Sequence, residues 1–95
     1  MTAYPSSTAA NYDRASDLAV LLGHAMQCEM CRERLLESPE RATMGRKMTP
    51  EQRRLIARLT PEDFENANIL AAAVGISASE LNEGINHPRA RLRHL

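Results

Sequence analysis

Aromatic residues are scarce in this chain of 95 residues. It has no Trp, one Phe and two Tyr, and its apolar side chains are mainly Ala, Leu and Met. Strands favour aromatic and β-branched side chains, whereas Ala, Leu and Met favour helices. The composition therefore argues against a β-rich fold and predicts an all-α protein, with one small core in a single domain.

Long apolar runs are also lacking. The longest, residues 69–76, is far shorter than the roughly 20 residues of a transmembrane helix. Residues 2–10 are mostly Thr, Ser and Ala and do not form the apolar core of a signal peptide. Together with the low cysteine content, this predicts a soluble protein of the reducing cytoplasm, with no membrane partner.

The chain has no net charge, because 12 Lys and Arg residues balance 12 Asp and Glu residues. The charge is nevertheless divided into blocks of about −3 over residues 1–40, +5 over 41–58, −5 over 59–88 and +3 over 89–95. A free nucleic-acid binder usually has a basic excess, so the balance weighs against that class but leaves a basic stripe on one face open. Charge pairing within the chain or across a dimer explains the blocks equally well.

Common catalytic signatures are missing. The sequence contains no G-x-S-x-G, no P-loop and no dinucleotide-binding fingerprint. The acidic pair Glu62 and Asp63 falls at a predicted helix start, where the helix dipole accounts for it. We therefore expect a protein that is not an enzyme, has no catalytic residue and acts by binding.

Helical spacing of apolar residues begins near residue 13. The pattern predicts a flexible N-terminal tail over residues 1–12 and a single helical domain over 13–95. Within the domain it predicts a long first helix over 14–37, which Ser38-Pro39 ends. The expected fold is a small bundle of four to five helices.

Three further helices are indicated by their start signals. Thr-Pro-Glu occurs before the helices predicted over 50–59 and 61–74, with Thr as the cap and Pro at the first helical position. Gly75 is expected to end the second of these in the left-handed conformation. A capping box over residues 77–80 starts a helix over 78–86. The side chains expected in the shared core are Leu18, Leu21, Leu22, Leu35, Leu55, Phe64, Leu70, Val74 and Leu81.

Both cysteines lie in the first predicted helix, close to one of the three histidines. On a continuous helix His24, Cys28 and Cys31 occupy positions i, i+4 and i+7 and project along one face. Their H-x3-C-x2-C spacing resembles the signature of zinc-binding anti-sigma factors, small helical proteins that hold a sigma factor and release it when the thiols are oxidised. The resemblance covers eight residues and implies that these three side chains are zinc ligands.

The pattern departs from that family at one ligand. The family takes its fourth ligand from a helix before the motif, whereas this chain has no Cys or His before His24. The remaining candidates are Asp13, Asp17, His87 and His94. Zinc is the only cofactor that the sequence suggests, and the binding function we expect does not require one.

Two other interpretations of the cysteines stay open. They could form a redox pair, because cysteines at i and i+3 can bridge at a helix start, where the helix dipole lowers the thiol pKa. In a helix over 14–37 they would lie mid-helix, where that effect is weak. They could also be small buried core residues, since cysteine is among the most buried residue types.

The last two predicted helices carry a second resemblance. Residues 69–86 are similar to a bacterial helix-turn-helix, with Gly75 in the turn. The resemblance implies that the last helix lies in the DNA major groove, although Glu80 and Glu83 would then face a polyanion. A plain antiparallel helix pair is the alternative. The implied DNA-contacting residues are Ser77, Ser79, Asn82 and Asn86 near the bases, with Arg89 and Arg91 on phosphate.

A protein partner is the most general interpretation. Small size, divided charge and the methionines Met26, Met30, Met44 and Met48 predict a small regulatory or accessory protein that binds a protein or a second copy of itself. Residues 34–59 are similar to the alpha chain of extradiol ring-cleaving dioxygenases, which packs on a larger catalytic subunit. We therefore expect a transcription-associated regulator that acts through protein contacts. A helix-turn-helix DNA binder and a zinc or thiol redox switch are the alternatives.

Overall fold

The computed structural model describes residues 16–91. Over this range the chain is all-α, which confirms the predicted fold class, and none of its helices is long and apolar enough to cross a membrane. The predicted tail over 1–12 lies outside the described residues. The helices are α1 (Asp17–Gln27), α2 (Glu29–Glu37), α3 (Pro39–Ala42), α4 (Pro50–Ala57), α5 (Ala67–Ala73), α6 (Ala78–Ile85) and α7 (Pro88–Arg91), with a 3-10 turn (Pro61–Phe64) before α5.

The prediction of one long first helix over 14–37 is wrong. The chain leaves the helical conformation at Cys28, whose φ of −135° and ψ of 106° are extended, and α1 and α2 lie on either side of it. The Sγ atom of Cys28 accepts the N–H of Cys31 at 3.4 Å and so caps the start of α2. Apolar spacing continues across the break, and periodicity alone therefore does not detect it.

The helix predicted over 61–74 is divided for a similar reason. Asn66 is extended, and its side-chain oxygen accepts the N–H of Ile69 at 2.9 Å, which starts α5 after the 3-10 turn. A short polar side chain that bonds to the backbone nearby favours such a new start. Gly75 has a φ of +74°, which confirms the left-handed end predicted for this segment. These divisions raise the number of helices above the four to five expected.

Helix α1 is the centre of the fold. Most of its residues are buried, and it packs against α6, α7 and α2. Every side chain predicted for the core belongs to the observed core except Leu55, which is only partly buried. Its neighbour Ile56 is 2% exposed and takes that place. Adjacent residues point about 100° apart on a helix, so α4 is rotated from the expected orientation by one position.

Helices α1 and α6 cross in close backbone contact at Gly23 and Gly84. A Cβ atom on Gly23 would lie 2.7 Å from the carbonyl carbon of Gly84, and one on Gly84 would overlap the carbonyl group of Ala19. Only glycine permits so close an approach of two backbones. Gln27 joins the same helices, because its Nε2 donates to the carbonyl oxygens of Gly23 and Ile85, each at 3.0 Å.

The connection between α3 and α4 is held by polar contacts. The guanidinium group of Arg53 donates to the carbonyl oxygens of Thr43 at 2.9 Å and Arg46 at 2.8 Å. A carboxylate oxygen of Asp17 accepts the N–H of Lys47 at 2.9 Å. Part of the basic block over 41–58 therefore stabilises the fold.

The glycine crossing predicts an unusual response to mutation. Gly→Ala in an ordinary helix interior raises the free energy of unfolding by about 1 kcal/mol. For Gly84→Ala we expect a fall of at least about 2 kcal/mol, because the methyl group forces α1 and α6 apart. Urea denaturation measures the difference. Ser79→Ala, at an exposed position of the same helix, is the control and should change it by less than about 0.5 kcal/mol. A Gly84→Ala protein as stable as the wild type would contradict the crossing.

Candidate metal and thiol site

His24, Cys28 and Cys31 meet where α1 joins α2. His24 is in the last turn of α1, Cys28 is the junction, and Cys31 is in the first turn of α2. One ring nitrogen of His24 and the two Sγ atoms all lie within 4.8 Å of one another. The structure therefore brings the three predicted residues together, although it does so at a break between helices and not along one helix face.

The two cysteines are not core residues. Both are half-buried, and neither belongs to the described core cluster. Met30, which lies between them in the sequence, is 53% exposed. The hypothesis that Cys28 and Cys31 are buried core side chains is therefore wrong, because the break at Cys28 turns this part of the chain towards the surface.

The imidazole of His24 is held by a backbone contact. Its Nδ1 lies 2.8 Å from the carbonyl oxygen of Ala90. A carbonyl oxygen only accepts hydrogen bonds, so Nδ1 carries the proton that it donates. In the neutral ring this assigns the lone pair to Nε2, which lies 3.1 Å from the Sγ atom of Cys31. Metal-binding histidines are oriented by contacts of this kind on their second nitrogen.

The two thiols differ in acidity. A hydrogen bond from the Cys31 side chain, followed by one from its backbone N–H, lowers the pKa of the Cys28 thiol. Burial, followed by the hydrogen bond to Cys28, raises the pKa of the Cys31 thiol. Cys28 is therefore the more acidic of the two thiols, and the Cys31 Sγ atom lies 3.1 Å from His24 Nε2.

The position of Cys28 corrects the expectation that the pair lies mid-helix. Cys28 is the N-cap of α2, and Cys31 is three residues further on. At a helix start the backbone N–H groups and the helix dipole stabilise a thiolate. The more acidic thiol is therefore at the start of α2, and the sulfur of Cys31 lies within 4.8 Å of it.

The donor set also fits zinc. Two sulfurs and one imidazole nitrogen are ligands that zinc prefers. With Zn–S near 2.3 Å and Zn–N near 2.0 Å, a tetrahedral ion separates its ligand atoms by roughly 3.5 to 3.8 Å. The three ligand atoms lie within 4.8 Å of one another, so small side-chain rotations would suffice to bind the ion.

The fourth ligand is not found among residues 16–91. Asp17 is at the opposite end of α1 from His24, and its carboxylate accepts the N–H of Lys47. Nδ1 of His87 accepts the N–H of Arg89 at 3.1 Å. The other two candidates, Asp13 and His94, lie outside the described residues.

The residues predicted to contact DNA are on α6, α7 and their flanks. Those whose side chains the structure describes are exposed, whereas the side chain of Arg91 lies outside the described part. Some of them already have a role in the helix, because Ser77 Oγ accepts the N–H of Glu80 at 3.0 Å and Asn86 Nδ2 donates to the carbonyl oxygen of Asn82 at 3.0 Å. Ser79, Asn82 and Arg89 remain as exposed polar side chains.

The predicted capping box of α6 is only half formed. Ser77 caps the helix as expected, but the Glu80 carboxylate accepts from Ser16 Oγ at 3.2 Å. Glu80 therefore holds the start of α6 against the start of α1. In the helix-turn-helix interpretation this removes one acidic side chain from a DNA-facing role, while Glu83 remains half-buried on the same helix.

Two parts of the site were missed by sequence reasoning. Ala90 contributes a backbone carbonyl, and no side-chain pattern identifies such an acceptor in advance. Gly84, which lets α6 approach α1, does carry a signal, since a glycine inside a predicted helix marks a close backbone approach. That signal could have placed α6 beside the first helix.

The difference in thiol acidity predicts selective alkylation. After metal is removed with a chelator, iodoacetamide at neutral pH should modify Cys28 at least about threefold faster than Cys31, because the thiolate is the reactive form. Peptide mass spectrometry at short times measures both rates. Urea-unfolded protein is the control, in which the two rates should become similar. Faster modification of Cys31 in the folded protein would contradict the assignment of Cys28 as the nucleophile.

Comparisons with protein families, curated proteins and solved structures find no match to this chain. A function must therefore be inferred from the site. Its defining features are the three converging ligands, the unequal thiols and the histidine held by the chain after α6.

Proposed function

We propose that this chain is a small regulatory protein that binds zinc through His24, Cys28 and Cys31 and releases it when the two thiols are oxidised. The observation that carries the proposal is the break at Cys28, which brings a nitrogen and two sulfurs within 4.8 Å of one another. The orientation of His24 by Ala90 supports it. The resemblance of H-x3-C-x2-C to zinc-binding anti-sigma factors points to the same function.

Each ligand has a separate part in this function. Zinc, when bound, holds both cysteines as thiolates and stabilises the junction between α1 and α2. His24 offers Nε2 because Nδ1 donates to Ala90. Cys28 supplies a sulfur without breaking α2, since an N-cap residue is not helical.

Oxidation by a hydroperoxide is the proposed signal. The Cys28 thiolate attacks the terminal peroxide oxygen and takes up that oxygen with its proton as a sulfenic acid. The other oxygen leaves as an alkoxide, or as hydroxide from hydrogen peroxide, and takes a proton from solvent. The Cys31 thiolate then attacks the Cys28 sulfur, an S–S bond forms, and the sulfenic hydroxyl leaves as hydroxide, which takes a proton from solvent to become water. The two sulfurs together supply the two electrons that reduce the peroxide.

We infer that the regulated partner is a protein. Met30 is exposed beside the site, and Met44 and Ile69 are also exposed. Flexible, apolar methionines are suited to protein contacts. A protein bound against Met30 would lie directly at the junction that zinc stabilises, and this proximity would link metal release to release of the partner.

Metal analysis tests the proposal. Protein purified without a chelator, or reconstituted with zinc and then desalted, should contain about one zinc per chain. Cys28→Ser should retain little zinc, because serine preserves the cap but not the thiolate. Glu29→Gln, an exposed change next to Cys28, is the matched control and should keep the metal. Hydrogen peroxide should release the zinc while a disulfide forms. A stoichiometry near zero for the reconstituted wild type would refute the zinc function.

DNA binding is the second candidate function, favoured by the exposed Ser79, Asn82 and Arg89 on α6 and α7. Electrophoretic mobility shift with duplex DNA tests it. If α6 binds DNA, complexes should form at low salt and weaken by at least about tenfold between 50 and 200 mM salt, because phosphate contacts release counterions. Arg89→Ala should reduce the affinity, with Ser38→Ala as a control on another surface. No complex at low salt would exclude this candidate.

A further inference from the structure

We propose that α7 belongs to the same switch: the carbonyl group of Ala90 positions His24 for metal binding, and the packing of α7 on α1 therefore depends on zinc. This inference rests on the proposed function, since it concerns the regulation of that site. It assigns a positioning role to the Ala90 carbonyl, which is not part of the ligand motif, and it makes the packing of α7 an indicator of zinc binding.

The link between the site and α7 is one hydrogen bond that spans 66 residues of sequence. His24 Nδ1 lies 2.8 Å from the Ala90 carbonyl oxygen, while Nε2 of the same ring faces Cys31. Ala90 is 1% exposed, so this acceptor lies in a protected part of the structure. The ring therefore connects the metal-binding atoms on one side with α7 on the other.

Helix α7 is short and relies on packing against α1. It has four residues, too few to be stable without packing against the rest of the protein. At its start the Ala90 N–H donates to the His87 carbonyl oxygen at 3.0 Å. The packing of Ala90 and its bond to His24 both hold α7 against α1.

The preceding helix is attached independently of His24. Gln27 donates to the carbonyl oxygen of Ile85 at the end of α6, and Gly23 and Gly84 are in direct backbone contact. Neighbouring residues of α1 thus hold α6 and α7 by different contacts. Movement of the His24 ring should loosen α7 while α6 stays in place, which gives the proposal a built-in reference.

Metal binding should strengthen the link. With Nε2 bound to a cation, the Nδ1–H group carries more positive charge and becomes a stronger donor to the Ala90 carbonyl. The coupling is reciprocal, so the packed state of α7 must also favour metal binding. Oxidation of the cysteines removes two ligands, and α7 then loses the added stabilisation.

Amide hydrogen exchange of the full-length protein tests the inference. The Ala90 amide should exchange at least about fivefold more slowly with excess zinc than with excess chelator, the lower end of the usual range for such coupling. Amides in the middle of α6 serve as the internal reference and should change less. Cys31→Ser should abolish the effect of zinc on Ala90. Gln27→Ala, which removes an attachment of α6 only, should preserve it.

Two further measurements distinguish the possible failures. Long-range nitrogen NMR of the zinc-bound protein should show a protonated Nδ1 and a bound Nε2 on His24, and metal-free His24→Ala should exchange faster at Ala90 than metal-free wild type. Failure to bind zinc overturns both the proposed function and this inference. Zinc binding through Nδ1, or zinc binding with unchanged exchange at Ala90, overturns the inference alone. Unchanged exchange in His24→Ala also overturns it.

Discussion

The backbone contact between Gly23 and Gly84 is the constraint on which the rest of the structure depends. Because Gly23 and Gly84 have no Cβ atom, the backbones of α1 and α6 meet directly at this crossing, and their distance leaves little freedom for adjustment. This fixed crossing places the end of α6, and therefore α7, beside the last turn of α1. His24 then meets a carbonyl group from the other end of the chain. The backbone contact between two glycines thus determines the orientation of the His24 imidazole.

Much of the fold follows from local sequence, and the exceptions have local causes. Proline and threonine starts, the glycine end at Gly75 and the apolar spacing predicted the helices and nearly all of the core. The breaks at Cys28 and Asn66 were missed because in each case the side chain accepts a hydrogen bond from a backbone N–H and ends the preceding helical run. The spacing of apolar residues carries no signal of such a bond. Leu55 and Ile56 are adjacent and both apolar, so the sequence does not show which of them is buried. That depends on how α4 packs against the rest of the protein.

Which side chains meet at the candidate site was predictable from the sequence, but their geometry was not. Spacing alone placed His24, Cys28 and Cys31 together, yet it assigned them to one face of a helix and left burial open as an explanation. The pKa of Cys28 is lowered by hydrogen bonds from the side chain and then the backbone N–H of Cys31, and the pKa of Cys31 is raised by partial burial. These contacts form because the helix breaks at Cys28. The role of Ala90 could not be predicted, because every residue carries the same carbonyl group and only the tertiary fold selects one of them.

The junction between α1 and α2 consists of a single residue, Cys28. One residue added there would turn α2 by about 100° and advance it by about 1.5 Å if it joined the helix, which would carry the Cys31 sulfur away from His24. The same insertion in the longer connection between α3 and α4 would leave the site unaffected. The number of residues from His24 to Cys31 is therefore fixed by the geometry of the site. Insertions and deletions should be tolerated less well at the junction between α1 and α2 than in the longer connections.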